Sequence, residues 1–195
     1  PGVCIRLYSK KDFERRPAHT SPDILRSDLS GLLLNLKGLN LEPNFPFLTQ
    51  PHESQWRFAQ AVLHSFRALD EEGELTDHGR MMTRLPLEPG LANFVLRSRA
   101  FGCVTEAATM AAMLTVGRFF VRGVYDEEEF KQVTAEFRDH QSDFFTLLAI
   151  WDGYRESHYS REWCEAHYLH PSWMHGVRTI RDHTLLVLRR LGIEW

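Results

Sequence analysis

At 195 residues the chain is long enough for one large domain or two small ones with a buried core. Hydrophobic residues at 43% and charged residues at 25% are ordinary for a globular protein. The formal net charge of −3 lacks the basic surplus of a self-sufficient nucleic-acid binder, so any contact with RNA or DNA needs a local patch or a larger protein. Cys4, Cys103 and Cys164 are far apart and odd in number, which argues against a disulfide framework and for a reducing compartment. No apolar run approaches the ~20 residues that span a bilayer. The opening PGVCIRLYSK has no signal-peptide pattern and no initiating Met, and reads as a piece of a longer polypeptide.

In chain order, VCIRLY alternates Val3, Ile5 and Leu7 against polar neighbours, the two-residue period of a strand whose sheet would lie upstream. Ser21-Pro22 then opens a helix that carries Leu25, Leu29, Leu32, Leu33 and Leu36 on one face as far as Gly38. The proline-rich Asn40–Pro51 reads as a loop or edge strand. Trp56, Ala59, Leu63 and Phe66 mark a second helix. The stretch ALDEEGELTDHGRMMTRLPLEPGLA, Ala68–Ala92, predicts one hairpin arm at Glu74–Thr76 and a brief helix capped by Thr76. The alternation of Leu85 and Leu87 around Pro86 predicts a returning strand at 84–88.

From Pro89 the pattern is helical throughout. Leu91, Phe94, Val95 and Phe101 mark a helix ended by Gly102, and Thr105 caps the small, apolar TEAATMAAMLTV. Asp126 caps EEEFKQVTAEFRDH, Ser142 caps DFFTLLAIWDGYRE, and Ser160 caps REWCEAHYL. Pro171 opens a last helix whose Val177, Ile180, Leu185, Leu188 and Leu191 face inward. The fold class expected is mainly α, ending in a helical bundle.

Catalytic patterns are missing: there is no Gly-Lys-Ser/Thr phosphate loop, no GxGxxG and no GxSxG. His158, His167, His170, His175 and His183 read as surface residues, and the carboxylates from Asp126 to Glu129 as a helix start. WCEAHYLH offers Cys164, His167 and His170 but no second ligand pair, so no metal site is expected and Cys164 reads as a buried thiol. The one local basic feature is TVGRFFVRG, where Arg118 and Arg122 flank Phe119 and Phe120. Arginine forks suit phosphates and exposed aromatics stack on bases; the alternative is that Phe119, Phe120 and Val121 are simply core.

Taken in order, GVCIRLYSKKDF, SPDILRSDLSGLLLNLKGL, FPFLTQP, GELTDHGRMMTRLPLEPGLA, FGCVTEAATMAAMLTVGRFFVR, SDFFTLLAIWDGYRE and REWCEAHYL resemble the C-terminal region of a DEAH-box RNA helicase. The resemblance implies a short remnant of an α/β RecA-like domain at 1–21, a winged-helix domain at 22–88 and a helical-bundle ratchet domain at 89–195. It further implies that the ratchet lines a single-stranded RNA channel, with RNA contacts around Thr115, Gly117, Arg118 and Arg122. ATP and Mg would be bound by the RecA-like domains of the parent helicase, and no cofactor by this segment. Other implied partners are RNA, an OB-fold of the same polypeptide and a G-patch activator, in an intracellular setting, cytoplasmic or nuclear. The chain departs from the family's pattern at Gly123, often Pro, and at Phe144, where many members have His after Gly-Asp. A second expectation, from a different class, is a protein-interaction module that docks a G-patch activator. It predicts an exposed apolar patch near Leu32, Leu36 or Phe66. A stand-alone winged-helix DNA binder is disfavoured by the acidic balance.

Overall fold

Helix-forming stretches separated by Gly, Pro and Ser punctuation build ten α-helices among the described residues. The structure is a computed structural model describing residues 2–17, 19–117, 120–121 and 127–195. Helix α1 (Lys10–Arg15) is capped by the Ser9 hydroxyl and buries no side chain. The segment before it is not a strand. Val3, Ile5 and Leu7 are 91%, 80% and 95% exposed, because no described layer lies against their alternating face.

The leucine-rich stretch that follows is broken in two. One 3₁₀ turn covers Asp23–Leu25, and α2 runs Ser30–Gly38. The cause is Asp28, whose carboxylate accepts from the Ser30 amide at 2.8 Å and restarts the helix there. Leu33, Leu34 and Leu36 of α2 are buried against α3 (Glu53–Ser65), which contributes Trp56, Ala59 and Leu63. A capping box starts α3, with Gln55 accepting from the His52 amide at 3.0 Å.

The hairpin is shorter than expected: the arm at Glu74–Thr76 is present, but it pairs with residues 68–70 before it rather than with 84–88. Leu69 and Leu75 form an isolated antiparallel bridge, with Asp70 N–H bonded to Glu74 O at 2.9 Å and Thr76 N–H to Ala68 O at 3.1 Å. Gly73, at φ +81, supplies the left-handed turn at its tip. Lys37, whose ammonium is held above its ordinary range chiefly by its hydrogen bond to Glu74, fastens this tip to α2. The returning strand expected at 84–88 does not exist. Arg84 and Leu85 donate back to Met81 and Met82 in the turn that ends α4 (Asp77–Met82), and Pro86 has no N–H, so these residues have few donors left for a ladder. Leu85 is buried there and acts as a core anchor.

Beyond this turn come α5 (Pro89–Ser98), α6 (Val104–Val116), α7 (Glu127–Ala135), α8 (Asp143–Glu156), α9 (Arg161–Ala166) and α10 (Pro171–Arg190). Pro89 occupies the first turn of α5, and Gly102, at φ +67, ends the 3₁₀ turn after it. The next helix begins at Val104, with Cys103 rather than Thr105 at its cap. Ala107, Ala108, Ala111 and Ala112 of α6 are fully or almost fully buried. Their small side chains let α5, α8 and α10 pack closely around α6. Asp126 lies outside the described residues, and α7 ends at Ala135, short of the expected His140.

Two buried clusters meet along α6. One joins α2 and α3 to α5, the first half of α6 and the end of α10 through Leu188 and Ile193. The other joins the end of α6 to Phe137, Trp151, Tyr154, Cys164, Met174 and Val177. Arg181 connects the two ends, donating Nε–H to Thr109 Oγ1 at 2.9 Å with its guanidinium 4.9 Å from the Trp151 ring centre. No helix among the described residues is long and apolar enough to cross a membrane.

Candidate nucleic-acid interface

The sequence places its candidate RNA contacts where α6 ends. Gly117 caps that helix in the left-handed region, φ +68, with its N–H on Met113 O at 2.8 Å. Glycine suits the position because an L side chain would be strained at that angle, even though its Cβ would meet the Leu114 carbonyl oxygen at an ordinary 3.5 Å. Thr115 is exposed, and its hydroxyl donates to Ala111 O at 2.7 Å within the same helix. Arg118 and Arg122 lie outside the described residues, so only Thr115 and Gly117 of the four are placed.

The end of α6 faces the start of α8 across a groove of about 440 Å³. Leu114 and Gly117 form one wall, and Ser142, Phe144 and Leu147 form the other. Ser142 caps α8 by accepting from the Phe144 amide at 3.2 Å. Asp139 holds the preceding turn, accepting from the Gln141 and Ser142 amides at 2.8 Å each. That turn presents Phe144, 48% exposed, opposite Leu114, 44% exposed. Asp143 is the sole charged side chain of the lining, so the described part of the groove offers apolar faces rather than a phosphate cradle. Sequence reasoning missed this wall, because Leu114 and Phe144 are neighbours only through the packing of α6 on α8.

Phe120 is not a free stacking platform. It bridges to Leu169, packs edge-on against Phe130 at 5.5 Å between ring centres, and joins the second buried cluster. Val121 N–H bonds to Tyr168 O at 2.8 Å. For Phe120 the core alternative therefore holds, while Phe119 lies outside the described residues.

The residues of WCEAHYLH part company in space. Cys164 is fully buried among aromatic side chains, and burial pushes its thiol up to about 11. His167 is half-buried rather than a surface residue. Its Nδ1 bonds Trp163 O at 2.7 Å and its Nε2 meets Glu136 at 2.9 Å. His170 instead stacks on Trp173. Since the folded state keeps Cys164 protonated above its ordinary 9.0, its contribution to stability is complete below about pH 9 and is lost as the pH rises through about 11. Cys164→Ala should flatten stability over that window. At pH 8, a thiol reagent should label exposed Cys4 at once and Cys164 only on unfolding; prompt labelling of Cys164 would contradict its burial.

Residues 88–147 match the family model of the helicase-associated domain (HA2), ratchet-like. The match opens at the start of α5 and closes in α8, so both walls of the groove lie inside it. The segment that builds the groove is thus similar to a ratchet-like, helicase-associated domain.

Proposed function

We propose that this chain is the winged-helix and ratchet portion of an ATP-dependent DEAH-type RNA helicase. In this reading the end of α6 and the start of α8 line the channel for single-stranded RNA and couple ATP-driven domain motion to translocation. The observation that carries it is that the described lining of the groove, Gly117 included, falls inside the ratchet-like segment. Residues 22–88 supply the winged helix, with the 68–76 hairpin as a minimal wing, and residues 1–21 the tail of a RecA-like domain. ATP and Mg belong to the RecA-like domains of the parent helicase, which also supplies an OB-fold and works inside the cell, in cytoplasm or nucleus.

In this reading Arg118 and Arg122, which follow α6 in the chain, provide phosphate contacts. Arg118→Ala with Arg122→Ala in the parent helicase should weaken binding of a single-stranded RNA and lower the slope of log affinity against log salt by about 1.4. Unchanged affinity and slope would remove both residues from the channel. The reading as a docking module for a G-patch activator is less well supported. Leu36 is buried, and Leu32 and Phe66 pack against the core rather than forming an exposed patch.

A further inference from the structure

A second concavity, of about 310 Å³, lies where the end of α3, α4 and α5 meet, lined by Phe66, Arg67, His78, Asn93 and Arg97. Its lining brings two guanidinium groups together with an imidazole and a carboxamide, and Asn93 Oδ1 lies 2.9 Å from His78 Nε2. No carboxylate lines the pocket, and neither arginine forms an ion pair with a described residue.

The backbone of Arg67 is firmly held. Its backbone is left-handed, φ +58, a conformation that glycine adopts freely and arginine does not. Its N–H bonds His64 O at 2.8 Å and its carbonyl accepts from Thr76 Oγ1 at 2.7 Å. The same Thr76 oxygen accepts from the Gly79 amide at 3.0 Å and so caps α4, the helix that carries His78. One hydroxyl thus ties the backbone at Arg67 to the start of α4. Arg97 and Asn93 are one turn apart on α5 and share a face. Two guanidinium groups beside the Asn93 carboxamide, at one cavity without an acid, point to an anion.

We propose that Arg67, His78, Asn93 and Arg97 form a phosphate-binding site for a phosphodiester of single-stranded RNA, outside the α6–α8 groove. This assignment rests on the reading of the chain as part of an RNA helicase, which makes RNA the polyanion at hand.

The test titrates a labelled oligouridylate into the 195-residue chain at several salt concentrations, with Arg67→Gly, Arg97→Gln and the pair. Arg67→Gly removes the guanidinium and eases the backbone, so it should melt no lower than the unsubstituted chain, and weaker binding cannot be blamed on unfolding. The pair should lower affinity about tenfold or more and reduce the salt slope by about 1.4, about 0.7 for each phosphate that is no longer neutralised. Unchanged affinity and slope in the pair would overturn the site. Unchanged RNA affinity with abolished binding of a phosphoserine peptide would overturn the assignment to RNA. Arg118→Ala with Arg122→Ala, run alongside, separates the two readings. Weaker binding there alone leaves the groove and removes this site; weaker binding only in the Arg67 and Arg97 variants does the reverse.

Discussion

Gly79→Ala should leave the chain unable to hold its hairpin, with a loss of about 3–5 kcal/mol or outright failure to fold. A Cβ at Gly79 would lie 2.1 Å from the carbonyl oxygen of Ala68 and 2.9 Å from a Leu75 methyl carbon. The obstacle is mostly backbone, and that backbone is pinned. Ala68 O accepts from the Thr76 amide at 3.1 Å, Ala68 is fully buried, and Leu69 pairs with Leu75. Relief therefore requires α4 to lift off the hairpin, which breaks the Thr76 cap and exposes Met82. Gly176→Ala is the matched control in α10. Its Cβ would meet only a Val116 methyl carbon at 3.8 Å, and alanine is the better helix former, so a gain of about 0.5–1 kcal/mol is expected. Chemical denaturation of both variants decides the matter; equal stabilities would show that α4 does not sit tightly on Ala68.

Leu188→Ala should cost about 3 kcal/mol, within the 2–5 kcal/mol typical of truncating a buried leucine. Leu188 is fully buried where α10 packs on α6, in the cluster that also holds Leu33 and Leu63 of the first helices. The surrounding backbones are already close because α6 contributes alanines, so the site has little freedom to collapse onto the void. For a domain with a total of about 5–15 kcal/mol, this is a large fraction. Leu186, two residues away and 44% exposed, should tolerate alanine within about 0.5 kcal/mol. A loss at Leu188 no larger than at Leu186 would mean that α10 does not close the core.

Local punctuation makes much of the helical part legible. Pro89 at the start of α5, Gly102 in the left-handed region, and Ser142 and Ser160 as caps are chemical requirements that a sequence displays directly. The alanine-rich run also announces a buried helix, since few other residues tolerate such close packing. The hairpin misleads because Leu85-Pro86-Leu87 alternates as a strand does, while the donors of Arg84 and Leu85 are committed to the turn behind them. Likewise Asp28 hides the break before α2, since its capping role depends on where its carboxylate points. His167 resembles a surface residue in sequence because nothing local announces Glu136, more than thirty residues earlier.

The candidate site is legible by halves. Thr115 and Gly117 can be placed from the end of one helix, but Phe144 opposite Leu114 requires the packing of α6 against α8. Arg67 gives no sign at all, because a left-handed arginine looks in sequence like any other. It is visible only through the fixed backbone that Thr76 imposes.

Photo-cross-linking tests most directly whether the α6–α8 groove of the ratchet-like segment faces RNA. A single-stranded RNA carrying 4-thiouridine, irradiated with the parent helicase and digested to peptides, should mark residues 113–122 and the Phe144 peptide. Cross-links confined to other surfaces, with both of these peptides unmodified at saturating RNA, would contradict it.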